Sequence, residues 1–194
     1  DILLKQDSNA VVNLRKKLSI SKNKIVILYA PTFRATDDDE SSLRIIESIA
    51  SQLPDNYLIL TRAHSNVKKP IWDKGRNEKV MDVTHCDDVQ ELLLISDILI
   101  TDYSSIFFDF SLLERPIIFF AHDLESYEKK SRGFYINYAS FVPGCVATSE
   151  SELVEAIHNA NSLSVNYKSF NKKYNNEKIC SKKVLEQVGL INVL

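Results

Sequence analysis

Glycine is scarce in this chain, because its 194 residues contain only four. The Walker-type phosphate loop and the GxGxxG dinucleotide motif both need closely spaced glycines, and neither pattern occurs. The GxSxG motif of serine hydrolases is absent as well. Any phosphate or nucleotide site in this chain must therefore use helix ends and side chains instead of a glycine-rich loop.

The chain also has few cysteines, a small net charge and no long apolar run. Three cysteines without CxxC spacing predict neither a disulfide framework nor a zinc site, and they fit a reducing cytoplasm. A formal net charge of −2 gives no basic field for a nucleic-acid partner. The longest apolar run, 106–113, is interrupted by Asp109 and is too short to span a bilayer. The chain opens without a signal-peptide pattern. It also opens without methionine, as expected of a fragment of a longer protein or of a processed or cloned start.

Strand and helix patterns alternate along the first two thirds of the chain. Continuous apolar runs predict buried strands at 24–30, 57–61, 79–83, 97–101 and 116–120. Apolar spacing and capping signals predict helices at 41–53, from Asp88 onward, at 104–113 and from Ser149 onward. This alternation predicts an α/β fold, with a Rossmann-like parallel sheet and helices on both of its faces.

The alternation of strand and helix patterns becomes less regular beyond residue 121. Residues 132–144 are rich in aromatic side chains and predict a long structured loop, with a short strand near 145–147 after it. Residues 166–183 are polar and lysine-rich, and a short amphipathic helix near Val184 and Val188 follows them.

Candidate binding residues follow directly after the strands, because ligands of open parallel sheets bind beyond the carboxyl ends of the strands. The candidates at these positions are Thr32, Arg34, Arg62, His64, Asp102, Ser104 and Ser105. Ser104 and Ser105 lie where a strand turns into a helix, so they could donate to a phosphate, or one of them could serve only as a helix cap. Arg34 could make a bidentate phosphate contact or be solvated.

Arg62 and His64 are two residues apart and point the same way at the end of a strand. His64 could donate to a phosphate or protonate a leaving phosphate, or it could be a histidine bonded within its loop. Asp109, about one helical turn after the serines, could accept from ribose hydroxyls or from nearby backbone. The acidic run 37–40 could bind a divalent ion through its oxygens, but a charge run of this kind is typical of a solvated loop, so we predict no metal site there. We also predict no cofactor.

Several segments together resemble the C-terminal catalytic region of the CDP-glycerol glycerophosphotransferase family. The matching segments are 27–34, 62–64, 91–105, 108–110, 115–120, 123–127 and 132–135. The Asp-Tyr-Ser-Ser stretch at 102–105 with its flanks is the most specific of them, and the likeness extends over about residues 1–160. The histidine and the serine pair also resemble nucleotide-contacting motifs of some bacterial sialyltransferases. Ser65 stands where family members often have proline.

The resemblance implies a GT-B enzyme, in which two Rossmann-like domains face each other across a cleft. Residues 1–194 would then be the C-terminal, donor-binding domain, with 1–23 as a connecting helix or linker and 166–194 as a helical tail. The other domain would carry the acceptor site and the histidine base. The donor would be CDP-glycerol, and the products would be CMP and a teichoic-acid-like or capsular polymer extended by glycerol phosphate. The full-length enzyme would work in the cytoplasm, at the inner face of the membrane.

The resemblance also assigns residues to this reaction. Donor-binding residues would be Thr32, Arg34, Arg62, His64, Asp102, Ser104, Ser105, Asp109 and Arg132. His64 is the catalytic candidate, on the side of the leaving CMP. His122 could in principle be a second base, but its position after the fifth strand would place it on the same half of the cleft. Fold analogy does not separate CDP-glycerol from CDP-ribitol or a sugar donor of a GT-B glycosyltransferase. It also leaves open a nucleotide-binding module without catalysis.

Overall fold

A computed structural model of the chain describes residues 3, 8–32, 39–62, 77–130, 134–162, 165–175 and 180–189. Its strands are β1 Ile25–Tyr29, β2 Tyr57–Thr61, β3 Val80–Asp82, β4 Ile98–Thr101, β5 Ile117–Phe120 and β6 Cys145–Ala147. They form one sheet in the order β3-β2-β1-β4-β5-β6, and every neighbouring pair is parallel. This is the strand order of doubly wound nucleotide-binding folds, so the predicted Rossmann-like α/β architecture is confirmed.

Helices connect the strands and cover both faces of the sheet. They are α1 Ser8–Lys17, α2 Asp39–Gln52, α3 Val89–Ile95, α4 Ile106–Ser111, α5 Leu124–Lys130, α6 Tyr138–Phe141, α7 Glu150–His158, a 3₁₀ turn at Ala160–Ser162, α8 Tyr167–Tyr174 and α9 Cys180–Gln187. Two predicted starts are confirmed: Asp88 accepts from the Gln90 amide, and Ser149 accepts from the Glu152 amide. The described helices are all too short or too polar to traverse a bilayer.

The core lies in two layers, one on each face of the sheet. In β1, Val26 and Leu28 pack into the layer that contains the buried leucines of α3, whereas Ile27 packs with Ile49 of α2 and Ile157 of α7. Burying each large aliphatic side chain stabilises the fold by about 1.5–3 kcal/mol. Both faces of β1 are buried, which explains why its sequence is continuously apolar instead of alternating.

The structure differs from the sequence prediction in the last third of the chain. The loop expected at 132–144 contains α6, which Asn137 caps by accepting from the Ser140 amide. The polar tail contains α8, whose lysines are exposed while Tyr167 is buried. The helix expected at 104–113 is shorter and ends at Ser111. Local sequence patterns missed α6 and α8 because their placement depends on contacts with distant residues.

Candidate functional site

The strand order reverses direction between β1 and β4, which makes the carboxyl edge of these strands the topological switch point of the sheet. Thr32 follows β1, Arg62 follows β2, and Asp102 to Ser105 follow β4. Since β2 and β4 flank β1, these predicted residues come together along one edge. The Arg62 amide donates to the Tyr29 carbonyl at 3.0 Å, which continues the sheet pairing to the edge.

A set of hydrogen bonds joins the carboxyl ends of β1 and β4 at this edge. The Ala30 amide donates to the Ile100 carbonyl at 3.0 Å, and the Thr101 hydroxyl donates to the Ala30 carbonyl at 2.7 Å. The Thr32 amide then donates to Oδ1 of Asp102 at 2.7 Å. Asp102 is only 3% exposed. Its carboxylate therefore fixes the segment after β1 against the segment after β4.

Ser104 and Ser105 are positioned between β4 and α4. Ser104 Oγ accepts from the Ile106 amide over 3.4 Å, which is long for a hydrogen bond. Ser105 is the N-cap residue of α4, yet its side chain makes no capping bond, and it is exposed. With six residues α4 has a short dipole. The hydroxyl groups, more than the helix end, are the donors that this segment offers.

Arg62 presents a charged group with spare donor capacity. Its side chain is half-buried, and its Nη1 is buried without a hydrogen-bond partner among the described residues. A buried donor that is left unsatisfied costs about 1–3 kcal/mol. A guanidinium in this situation favours an anionic oxygen as its partner, and phosphate oxygens suit its geometry.

Asp109 lies in the first turn of α4, four residues after Ser105. Partial desolvation by the surrounding protein raises the pKa of this carboxyl above its ordinary value, although the side chain is still exposed. Ionised Asp109 is thus less well solvated than a free aspartate. A hydroxyl donor from a ligand would relieve that cost.

Two cavities among the described residues lie at the opposite, amino edge of the sheet. One of about 520 Å³ is lined by residues that include Pro116 and Tyr167, and one of about 300 Å³ by residues that include Arg15 and Asp97. Arg15 and Asp97 are bonded to each other. We place the candidate site at the carboxyl edge, because the strand reversal is found there together with Nη1 of Arg62, which has no partner among the described residues.

The family model described as CDP-glycerol:poly(glycerophosphate) glycerophosphotransferase matches residues 1–189. The chain belongs to this glycerophosphotransferase family. A teichoic acid poly(glycerol phosphate) polymerase of Bacillus spizizenii is 39% identical over 165 residues, which are 81% of this chain and 42% of the relative. Its counterpart in Staphylococcus epidermidis is 37% identical over 177 residues, 86% of this chain and 24% of the relative. The resemblance noted in the sequence is confirmed.

A solved structure shows the same similarity in three dimensions. A variant of the wall teichoic acid polymerase TagF with CDPG superposes with a TM-score of 0.71 at 36% identity. The aligned part covers 88% of this chain and 42% of that structure. The predicted fold, a Rossmann-like sheet as in one half of a GT-B enzyme, is confirmed by this likeness and by the observed strand order. The chain spans less than half the length of these glycerophosphotransferase relatives.

Three of the residues that the glycerophosphotransferase resemblance suggested, Arg34, His64 and Arg132, lie outside the described residues. His122 is described: it follows β5, is exposed, and its ring lies 5.0 Å from that of Phe120. Within the described part of the chain, no group of three or more His, Cys, Asp or Glu side chains is arranged to hold a metal ion.

Sequence reasoning missed a cluster of aromatic rings beside residues 102–105 of this chain. The Tyr103 ring lies 3.9 Å from Tyr127, 5.3 Å from Phe134 and 5.2 Å from Tyr138, measured between centroids. The Tyr103 hydroxyl donates to Oδ1 of Asp123 at 2.8 Å. The aromatic richness after residue 132 was the available signal, but spacing alone could not show that these rings meet residue 103.

Proposed function

We propose that this chain binds the nucleotide part of CDP-glycerol in a glycerophosphotransferase that extends a teichoic-acid-like or capsular polymer and releases CMP. The observation that carries the proposal is the buried Nη1 of Arg62, which has no partner among the described residues. Arg62 follows β2, the strand next to β1 at the switch point, in a chain that belongs to this family. The exposed hydroxyl of Ser105 and the weakly bonded one of Ser104 lie after the adjoining strand.

In the proposed reaction, an acceptor hydroxyl attacks the β-phosphorus of CDP-glycerol. A new phosphorus–oxygen bond forms to the acceptor, the bond to the CMP oxygen breaks, and the proton of the acceptor passes to a base. Negative charge builds on the departing CMP phosphate. We propose that Arg62, Ser104 and Ser105 offset that charge, together with Arg34 and His64, which come soon after β1 and β2 in the sequence.

The other predicted residues take supporting roles in this proposal. Asp109 accepts from the ribose hydroxyls, and Arg132 adds a contact near the phosphates. Thr32 and Asp102 shape the floor of the site, because the Thr32 amide is bonded to the buried Asp102 carboxylate.

The base for the acceptor lies elsewhere in the full-length enzyme in this proposal. In the sequence His64 and His122 both come soon after strands of this sheet, so we expect them on the side of the departing CMP, whereas an in-line attack comes from the opposite side. We therefore expect the 194 residues to bind donor but not to extend a primed acceptor until the rest of the enzyme is supplied. Extension by this chain alone would promote His64 or His122 to catalytic base. We also propose that the full-length enzyme works at the cytoplasmic face of the membrane.

Calorimetry with CDP-glycerol, CDP-ribitol, CMP-sialic acid and a UDP-sugar tests the donor. We expect CDP-glycerol to bind most tightly. Tighter binding of CDP-ribitol would assign the chain to ribitol phosphate transfer, and tighter binding of the UDP-sugar would indicate a glycosyltransferase. Failure of every nucleotide to bind would contradict the proposal.

The double variant Ser104→Ala with Ser105→Ala tests the phosphate contacts. Each lost hydrogen bond to a charged group is worth about 1.5–3 kcal/mol, so we expect CDP affinity to fall by about tenfold or more. The matched control replaces Ser48 and Ser51 of α2 by alanine. These hydroxyls are exposed and bond to Glu150, Glu47 and Asn77, none of which is a predicted donor-binding residue. Unchanged CDP affinity in the Ser104 and Ser105 variant would leave the two serines a purely local role.

A further inference from the structure

We infer that Tyr138 is a positioning residue that holds the serine segment 102–105 in its donor-binding geometry, acting through the backbone carbonyl of Asp102. Its hydroxyl donates to that carbonyl at 2.9 Å, and Tyr138 is 5% exposed. The inference rests on the proposed function, since it assigns Tyr138 to the same site.

Asp102 is bonded from two directions, which is why its position matters for the whole edge. Its backbone carbonyl accepts from Tyr138 of α6, and its carboxylate accepts from the Thr32 amide. Tyr138 thereby joins α6 to the segment after β4, and the bond between Asp102 and Thr32 joins that segment to the one after β1. Loss of the Tyr138 hydroxyl would loosen both segments at once.

Tyr103 makes a second set of contacts that fix the same segment. It stands between Asp102 and Ser104, its ring is stacked on Tyr127 with an interplanar angle of 28°, and its hydroxyl donates to Asp123. The ring of Tyr138 meets that of Tyr103 edge-on. Aromatic pairs of this kind contribute about 0.5–1.5 kcal/mol beyond the area they bury. The two tyrosines therefore hold the chain at residues 102 and 103.

The serine segment needs such support because its own local bonds are weak. Residues 102–105 belong to neither β4 nor α4, the Ser104 contact to the Ile106 amide is 3.4 Å long, and Ser105 makes no capping bond. Binding groups must be held to within about 0.5 Å of the productive geometry to be effective. The tyrosine contacts, and not helix capping, provide that precision here.

The test is Tyr138→Phe, which removes one hydroxyl and keeps the ring. Tyr167→Phe is the matched control, because Tyr167 is 7% exposed and its hydroxyl accepts from the Ile117 amide at the opposite edge of the sheet. Each change removes one buried tyrosine hydroxyl that is bonded to the backbone. The readouts are CDP affinity by calorimetry and hydrogen exchange of the amides at 104–106 without nucleotide.

We expect Tyr138→Phe to weaken CDP binding by about fivefold to tenfold, as for one neutral hydrogen bond, and to accelerate exchange at 104–106. Tyr167→Phe should change neither readout. Tyr103→Phe, which removes the hydroxyl that donates to Asp123, should act in the same direction as Tyr138→Phe and more weakly. It replaces Tyr138→Phe as the deciding variant if that protein does not fold.

The outcomes separate this inference from the proposed function. If the unsubstituted chain binds CDP while the deciding variant keeps normal affinity and normal exchange, the inference is overturned and the proposed function stands. If Tyr167→Phe weakens CDP binding as much, affinity follows global stability and the positioning role is again overturned. If the unsubstituted chain binds no CDP, the proposed function fails and the inference fails with it.

Discussion

The two edges of the sheet use similar charged and polar side chains in different ways. At the amino edge, Nη2 of Arg15 contacts Oδ2 of Asp97 at 3.2 Å, and the same oxygen accepts from the Val26 amide at 2.8 Å. Arg115 at this edge donates from Nη1 to the carbonyl groups of residues 94 and 96, at 2.8 and 2.6 Å. These arginines are bonded to the fold itself.

At the carboxyl edge the described arginine is not used in that way. Arg62 is anchored by its backbone amide, while its Nη1 has no partner in the part of the chain that the structure describes. The comparison shows that residue type does not identify a binding site, because Arg62 and Arg115 both lie at strand ends. The two arginines differ in the partners of their guanidinium groups. The comparison is testable by replacing each arginine with the same residue, methionine.

Arg115→Met should produce the largest effect. The change leaves two carbonyl groups, on the buried residues 94 and 96, without their charged donor. We expect the free energy of unfolding to fall by about 2–4 kcal/mol, since each hydrogen bond to a charged group is worth about 1.5–3 kcal/mol and methionine recovers part of the packing. Urea titration measures this loss, and CDP affinity should stay within about twofold at temperatures where the variant is folded. A large loss of CDP affinity in the folded variant would show that the edges are not independent.

Arg62→Met should have the reverse pattern. We expect CDP affinity to fall by about tenfold to a hundredfold, because a charged donor to phosphate is lost. The free energy of unfolding should be unchanged or higher, since a buried donor without a described partner is removed. Calorimetry and urea titration on the same sample measure both quantities. A clear loss of stability with normal CDP affinity would assign Arg62 a structural role like that of Arg115.

Much of the sheet could be predicted because its strands are buried on both faces. The apolar run of β1 and the strand from Tyr57 to Thr61 are visible in the sequence, since burial of both faces demands continuous apolar residues. The rule that ligands bind beyond the carboxyl ends of parallel strands then placed Thr32, Arg62 and Asp102 on one edge, where the structure finds them.

The rest of the site could not be predicted because it depends on contacts between distant residues. The bond from Tyr138 to Asp102 joins residues 36 positions apart, and no local pattern marks it. The same holds for α8, where Asn171 and Asn175 bond to the Ser111 region across at least 60 positions. In the sequence these asparagines look like part of a polar tail. In the structure their side-chain amides hold α8 against α4, and the local composition gives no sign of this contact.

Asp109→Asn should produce the smallest effect, and its sign follows from the pKa. Partial desolvation raises the pKa of Asp109 in the folded chain above the ordinary value of 3.8, while the unfolded chain keeps the ordinary value. Between those two values the folded state holds more proton than the unfolded state, so this group makes stability fall as pH rises through that window. Asparagine does not titrate and removes this contribution.

The measurement is the free energy of unfolding of both proteins by urea titration at several pH values from about 4 to about 7. The difference should move in favour of the asparagine variant as pH rises from the ordinary carboxyl value, and it should become constant once Asp109 is ionised in the folded chain. The effect is small because the side chain is exposed and water screens its charge. Parallel curves for the two proteins would mean that Asp109 titrates at its ordinary value. In that case the carboxyl edge would hold no poorly solvated carboxylate at Asp109, and the electrostatic reason for a ribose contact at this residue would be lost.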